Sequence, residues 1–195
     1  ALQANGFNNV TDIMGNIAIL IGLRLARIPA DSDHVYGHWK IESIASLISS
    51  FIMFFVGFEV LRETVMTLLS GKEEAIDPLG ALVGLFSAFV MLGVYLYNRA
   101  LAKKTNSQAL SAASKDNLSD AVTSIGTVVA ILASSVGWEW LDTAMAVVIC
   151  GFILKTAYDI FHESVFSLSD GFDENLVEEY REAICLVPKV KGVKL

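Results

Sequence analysis

The sequence predicts an all-α, polytopic membrane domain followed by the start of a cytoplasmic domain. Hydrophobic residues make up 54% of the chain and charged residues only 18%, whereas charged residues make up about a quarter of an ordinary soluble domain. The apolar residues lie in blocks of about 18 to 25, long enough for a helix to cross about 30 Å of hydrocarbon. Two of these blocks carry aspartates in N-x-x-x-D or D-x-x-x-D patterns, and acidic residues are rare inside membranes and usually mark a functional site.

The blocks predict helices rather than barrel strands. Only helices and closed barrels satisfy every backbone hydrogen bond inside a bilayer, and barrel strands need about ten residues of strict alternation, which these blocks lack. We therefore predict five spans, at residues 10–28, 44–69, 79–97, 109–136 and 141–161. Turn-forming residues separate the spans in order: Pro29 and Gly37, then Gly71 and Pro78, then Asn106, then Gly137.

Basic residues orient the predicted helices, because Lys and Arg accumulate in cytoplasmic loops. They lie in or near the loops after the first and third spans: Arg24, Arg27 and Lys40, and Arg99, Lys103 and Lys104. The loops after the second and fourth spans are acidic on balance. This alternation predicts a multi-pass protein of the plasma membrane, with the residues after the fifth span in the cytoplasm.

The composition becomes polar after the fifth span. Residues 176–186 have the pattern of an amphipathic helix, with a polar face of Glu178, Glu179, Arg181 and Glu182. We predict a transmembrane domain over residues 1–162, and a linker with the start of a truncated cytoplasmic domain over residues 163–195.

The composition and motifs also disfavour two classes of function. The net charge of −7 argues against nucleic acid as a partner, because binding to phosphates depends on an excess of Lys and Arg. The chain contains no HExxH, GxSxG or phosphate-binding loop, so the sequence does not predict an enzyme.

Two of the predicted spans carry the strongest chemical signal. Asn8 and Asp12 lie at the start of the first span, and Asp116 and Asp120 lie within the fourth, each pair four residues apart. On a helix this spacing places both side chains on one face, about 6 Å apart along the axis. Two such helices side by side offer four converging oxygen ligands to a divalent cation. The helix macrodipole also explains a single acid near the start of a helix. It does not explain Asp120, because a long apolar run follows this residue.

A second cluster, Asp31, His34 and His38, lies in the loop between the first two spans. Two histidines four residues apart beside an aspartate can bind a transition metal. A polar loop whose histidines only form hydrogen bonds fits the same spacing equally well.

The order of these motifs resembles the cation diffusion facilitator family of metal/proton antiporters, over essentially the whole chain. The loop from Asp31 to Ser43 reads D-x-x-H-x-x-G-H-x-K-x-E-S, between an upstream N-x-x-x-D and a downstream D-x-x-x-D. The resemblance implies a six-helix bundle of which the first helix is missing here, so that the five predicted spans are helices two to six. It also implies a homodimer and a cytoplasmic C-terminal domain of metallochaperone-like α/β fold.

The resemblance further implies a transport site on Asn8, Asp12, Asp116 and Asp120. Zinc-transporting members have a histidine in place of Asp116, and the usual first acid is replaced here by Asn8. The Asn-Asp-Asp-Asp set resembles that of the bacterial manganese exporters, and oxygen ligands without imidazole suit Mn²⁺ over Zn²⁺. We therefore expect Mn²⁺ as the transported ion and protons as the coupling ion. Alternatives are Zn²⁺, Fe²⁺, Co²⁺ or Cd²⁺ as the ion, or a subunit that senses metal without transporting it.

Two further assignments follow from the same resemblance. Asp31, His34 and His38 match a second metal site in the zinc-transporting members. Lys40 matches a lysine that pairs with an acid just after the last membrane helix, and Asp170 is that acid here. Solvated charge at the membrane surface is the alternative interpretation of Lys40 and Asp170.

Overall fold

A computed structural model describes residues 2–70, 78–135, 137–171, 174–187 and 190, with side chains for all of these except 2–12, 70, 78–79, 134–135, 139, 142, 174–176 and 179. The described backbone forms six α-helices: α1 (Leu2–Leu25), α2 (Ile41–Ser70), α3 (Pro78–Thr105), α4 (Gln108–Ser135), α5 (Glu139–Leu168) and α6 (Glu174–Cys185). The predicted helical membrane domain is confirmed. Beyond α5 the described residues contain only α6, so the α/β fold of a C-terminal domain stays a prediction.

Several helices run further than the apolar blocks from which they were predicted. α3 continues to Thr105 rather than ending near residue 97, and α5 continues to Leu168, past the predicted domain boundary at residue 162. Hydropathy marks where a chain leaves the hydrocarbon, whereas helix ends are set by turn and capping residues. The apolar pattern therefore underestimates the length of both helices.

The turn between α3 and α4 shows how such an end is made. Asn106 adopts a left-handed backbone with φ of 53°, and the Ser107 N–H donates to the Ala102 carbonyl over 3.2 Å, which closes the last turn of α3. The Ser107 hydroxyl then accepts a bond from the Leu110 N–H at 3.3 Å, which caps the start of α4. α4 is thereby fixed directly beside α3.

Three described segments are long and apolar enough to cross a membrane: Ile41–Leu69, Gly80–Thr105 and Thr143–Leu168. In α1 the segment with described side chains, Ile13–Leu25, is apolar but shorter. α4 is not among these segments over its described side chains, and Lys115, Asp116 and Asp120 lie in its first half. Of the first five helices, the two that carry the predicted transport site, α1 and α4, are the least apolar.

α4 lies at the centre of the helix packing. It contacts α1, α2, α3 and α5, while α2 also packs against α1 and α5. Among the described residues, α3 packs only against α4 and exposes large apolar side chains such as Phe86 and Phe89, as a lipid-facing helix does. α4 therefore packs against four other helices, while Ile125, Val129 and Leu132 in its second half stay exposed.

Small residues allow this close packing. The buried residues of the interior are largely alanine and serine, as in Ala45, Ser46, Ser50, Ala109, Ala112, Ala113, Ala157 and Ser164. A Cβ added at Gly22 of α1 would collide with the Cβ of Ala45, which shows how near the backbones of α1 and α2 approach. Small side chains give membrane helices close van der Waals contact where no hydrophobic driving force exists.

Candidate metal sites

A small cavity lies in the core between α1, α2, α4 and α5. The volume of the cavity is about 30 Å³, which is enough for about two water molecules or one cation. Oxygen-bearing side chains form one part of its wall: Ser49, Asp116, Ser119 and Asp120. The rest of the wall is apolar or glycine: Gly15, Ile52, Met53, Val56 and Ile153.

The structure brings Asp116 and Asp120 together in the wall of this cavity. Both carboxylates are half-buried and lie in the first half of α4, about 12 and 18 Å from the start of a helix about 42 Å long. Because residues four apart share a helix face, one stretch of α4 delivers two anionic ligands to the same space.

Asn8 and Asp12 have side chains outside the described residues, so the structure does not test their place at the site. Their backbone belongs to α1, which packs against both α2 and α4. Gly15, three residues after Asp12 on the same helix, lines the cavity. The convergence of all four ligands stays a prediction.

Ser49 and Ser119 are absent from the ligands that the sequence predicts. Ser119 is only 2% exposed, and its hydroxyl has no hydrogen-bond partner within the described part of the chain. A sequence signal for Ser119 exists, since it lies three residues after Asp116 and therefore on the same face of α4. Ser49 belongs to a series of buried serines in α2, and nothing in that series distinguishes it before the fold is known.

The loop residues Asp31, His34 and His38 form a second cluster. His34 Nδ1 lies 3.2 Å from Asp31 Oδ1, and His38 Nε2 lies 3.7 Å from Asp31 Oδ2. One ligand atom from each residue lies within 4.8 Å of the others. Tetrahedral ligands at about 2.1 Å from zinc lie about 3.4 Å from one another, so a small contraction of the loop would accommodate a metal ion.

Local backbone geometry holds this cluster together. Asp31 Oδ1 accepts bonds from the backbone N–H of His34 at 2.7 Å and of Asp33 at 3.0 Å. The His34 N–H bond is the largest influence on the carboxyl and lowers the pKa of Asp31 below its ordinary value, so the ligand is anionic. Gly37 has a φ of 80°, a conformation that favours glycine, and its turn leads directly into His38.

The two histidines differ in their surroundings. The His34 side chain is 56% exposed and the His38 side chain 10%, although the ring centroids are only 4.2 Å apart. His38 Nδ1 is buried without a hydrogen-bond partner among the described residues. The cluster therefore has one open side and one closed side.

The structure also brings Lys40 and Asp170 together. Lys40 Nζ lies 2.5 Å from Asp170 Oδ1 and thereby joins the start of α2 to the chain just after α5. Two further bonds join the start of α2 to the start of α4: Ser43 Oγ donates to Gln108 Oε1 at 2.5 Å, and Ser107 Oγ donates to Glu42 Oε2 at 2.8 Å. These contacts connect α2, α4 and α5 at one end of the bundle.

One further ion pair was not predicted from the sequence. Lys115 Nζ contacts Glu163 Oε2 and so links α4 to α5 immediately beside Asp116. Lys115 lies within the fourth predicted span and Glu163 just after the fifth, but which acid meets which base depends on the packing of α4 against α5.

The apolar helices define a polytopic membrane protein, and comparison with known proteins defines its family. Residues 1–169 match the family model of the cation efflux transmembrane domain. The chain therefore belongs to the cation efflux family, the cation diffusion facilitators, which are transporters rather than enzymes. The match ends at Ser169, the C-cap residue of α5.

Several curated relatives are similar along almost the whole chain. The manganese efflux system protein MneS of Bacillus subtilis (strain 168) is 49% identical over 193 residues, which cover 99% of this chain and 66% of the relative. MneP of the same organism, also a manganese efflux system protein, is 29% identical over 202 residues, with 99% and 67% covered. The cation-efflux pump FieF of Shewanella oneidensis is 30% identical over 197 residues, with 97% and 63% covered. The chain thus spans about two thirds of the length of these relatives.

Proposed function

We propose that this chain exports a divalent metal cation across the plasma membrane in exchange for protons, and that the cation is Mn²⁺. The observation that carries the proposal is the cavity in the core of the bundle, into whose wall α4 places Asp116 and Asp120. Family membership and the similarity to two manganese efflux proteins support it.

The ligand chemistry favours manganese. We propose Asn8, Asp12, Asp116 and Asp120 as the transport ligands, all of which offer oxygen. Among the described residues, no histidine or cysteine lines the cavity. Oxygen sites suit Mn²⁺, whereas imidazole and thiolate ligands favour Zn²⁺.

Competition for the carboxylates supplies the coupling. A carboxylate binds metal only when it is deprotonated, so metal binding and proton binding exclude each other. Metal from the cytoplasm displaces protons, the helices rearrange, and protons from outside displace the metal. Asn8 carries no titratable proton, so the four ligands exchange at most three.

The driving forces are sufficient. Moving a divalent cation out against an inside-negative potential costs about 4.6 kcal/mol per 100 mV, and each entering proton returns about 2.3 kcal/mol. An inward gradient of one pH unit adds about 1.4 kcal/mol for each proton. At 100 mV and one pH unit, one proton returns about 3.7 kcal/mol and falls short of this cost, whereas two protons return about 7.4 kcal/mol and exceed it.

The remaining assignments belong to the same proposal. Asp31, His34 and His38 form a second metal site on the cytoplasmic face, and the Lys40–Asp170 pair holds the cytoplasmic ends of α2 and α5 together. We further propose a homodimer whose protomers each carry a cytoplasmic C-terminal domain of α/β fold.

The test is metal uptake into inside-out vesicles that contain a pH dye. Mn²⁺, Zn²⁺, Fe²⁺ and Mg²⁺ are offered separately to the wild type and to Asp120→Asn. We expect Mn²⁺ uptake with proton release in the wild type and a loss of Mn²⁺ uptake of about 100-fold or more in the variant. Removing a residue that only hydrogen-bonds to a metal ligand costs about 10- to 100-fold, and removing the ligand itself costs more.

Asp159→Asn is the matched control, because Asp159 lies in α5 and pairs with Lys155 at 2.6 Å without lining the cavity. This control should transport normally. Uptake of zinc alone would overturn the assignment of the metal, and binding without flux of any ion would indicate a metal-sensing subunit instead.

A further inference from the structure

We propose that Ser119 is a fifth protein ligand of the transported cation and contributes to the choice of Mn²⁺ over Zn²⁺. This inference rests on the proposed function and adds a specificity-determining residue to its site. Ser119 lies between Asp116 and Asp120 on α4 and lines the same cavity.

The hydroxyl of Ser119 differs from those of most other buried serines of the bundle, which are hydrogen-bonded. Ser46 donates to the Glu42 carbonyl at 2.9 Å, Ser114 to the Ser111 carbonyl at 2.8 Å and Ser164 to the Ile160 carbonyl at 2.8 Å. Such a bond to the preceding turn is available to any serine within a helix. Ser119 Oγ makes none and has no other partner among the described residues.

Burial makes this difference informative. Ser119 is 2% exposed, so bulk water does not satisfy its hydroxyl, and buried polar groups in native proteins almost always have a partner. The space that Ser119 borders is the cavity with the two carboxylates. A cation bound in this cavity coordinates the hydroxyl oxygen of Ser119, which has no hydrogen-bond partner among the described residues.

The spacing along α4 fits one shared ion. Residues 116, 119 and 120 stand at positions i, i+3 and i+4, which place all three side chains on the same helix face. α4 therefore presents two anionic oxygens and one neutral oxygen to the same cavity.

Coordination number links the serine to selectivity. Zinc is satisfied by four ligands in a tetrahedron, whereas Mn²⁺ favours an octahedron of six oxygens. Asn8, Asp12, Asp116 and Asp120 supply four oxygens if each binds through one atom. A fifth oxygen from Ser119 benefits the six-coordinate ion and is superfluous for the four-coordinate one.

The test measures Mn²⁺ and Zn²⁺ binding at equilibrium, using the chain in nanodiscs. The electron paramagnetic resonance signal of free Mn²⁺ reports the first affinity, and competition by Zn²⁺ reports the second. For Ser119→Ala we expect Mn²⁺ affinity to fall about tenfold and Zn²⁺ affinity to change less than about twofold, in line with the loss of one neutral ligand.

Ser114→Ala is the matched control, because Ser114 is equally buried on the same helix and its hydroxyl is bonded locally. It should leave both affinities unchanged. Ser119→Cys replaces the hard oxygen with a soft sulfur in nearly the same volume, and should weaken Mn²⁺ while strengthening Cd²⁺.

Two outcomes would overturn the proposal: Ser119→Ala with wild-type Mn²⁺ affinity, or Ser119→Cys with an unchanged ratio of Mn²⁺ to Cd²⁺ affinity. Binding is measured apart from flux, so a wild type that binds Mn²⁺ without transporting it would contradict the proposed function and leave Ser119 as a ligand. A wild type that binds no Mn²⁺ at all would overturn both.

Discussion

The cavity and the loop cluster offer metal ions two contrasting environments in one chain. The cavity is bounded by four helices and presents only oxygen among its described polar side chains. The loop cluster is built by a short turn, presents two imidazoles and one carboxylate, and leaves His34 and Asp31 about half exposed. One environment is held by helix packing, and the other by local backbone bonds.

The difference teaches where selectivity and transport can reside. Helices that rearrange relative to one another can open a cavity to either side, whereas a loop held by its own turn changes little when helices move. The polar side chains of the helix-bounded cavity offer hard oxygen ligands, whereas the loop cluster adds borderline nitrogen ligands. We therefore assign transport to the cavity and only accessory metal binding to the loop.

The largest effect on this contrast should come from placing imidazole, a ligand type of the loop cluster, in the cavity. Asp116→His introduces imidazole beside Asp120, so we expect the ratio of Mn²⁺ to Zn²⁺ transport to fall by about tenfold or more toward zinc. Competition between the two ions in vesicle uptake measures the ratio. An unchanged ratio would show that ligand hardness does not select the metal.

A smaller effect concerns the loop alone. Because the pKa of Asp31 is lowered in the folded protein, its carboxylate stabilises the loop at pH values above the ordinary pKa of about 3.9, and this stabilisation is lost as the pH falls through the lower, folded value. Asp31→Asn should therefore speed hydrogen exchange at the amides of residues 33 and 34 near neutral pH.

The difference in hydrogen-exchange rate between Asp31→Asn and wild type should shrink as the pH falls below about 4. Hydrogen exchange resolved to single amides checks this, with Ser32→Ala in the same loop as the control. Equal exchange in both proteins at neutral pH would remove the proposed role of the carboxylate in shaping the loop.

Local spacing explains what was predictable from the sequence. The pairing of Asp116 with Asp120 follows from the helix repeat, and the proximity of His34 to Asp31 follows from a three-residue separation in a turn. Both depend on neighbours in the chain. The same reasoning correctly located five long helices before the start of α6.

Packing explains what was not predictable. The contact of Lys115 with Glu163 joins residues 48 apart in the chain, and Ser49 of α2 reaches the cavity only because α2 and α4 pack together. Ser119 resembles several other serines in the sequence, and it differs from most of the buried ones because its hydroxyl has no hydrogen-bond partner among the described residues. Such features depend on the relative positions of helices, which hydropathy does not encode.

The most direct test of the contrast is Mn²⁺ flux through three proteins side by side in the same vesicles: wild type, the double variant His34→Ala with His38→Ala, and Asp120→Asn. We predict that the double variant keeps at least about half of the wild-type flux and its proton release, while Asp120→Asn loses both, because ligand loss at the transport site is worth about 100-fold or more. Loss of flux in the double variant with flux retained by Asp120→Asn would place transport in the loop and contradict the account.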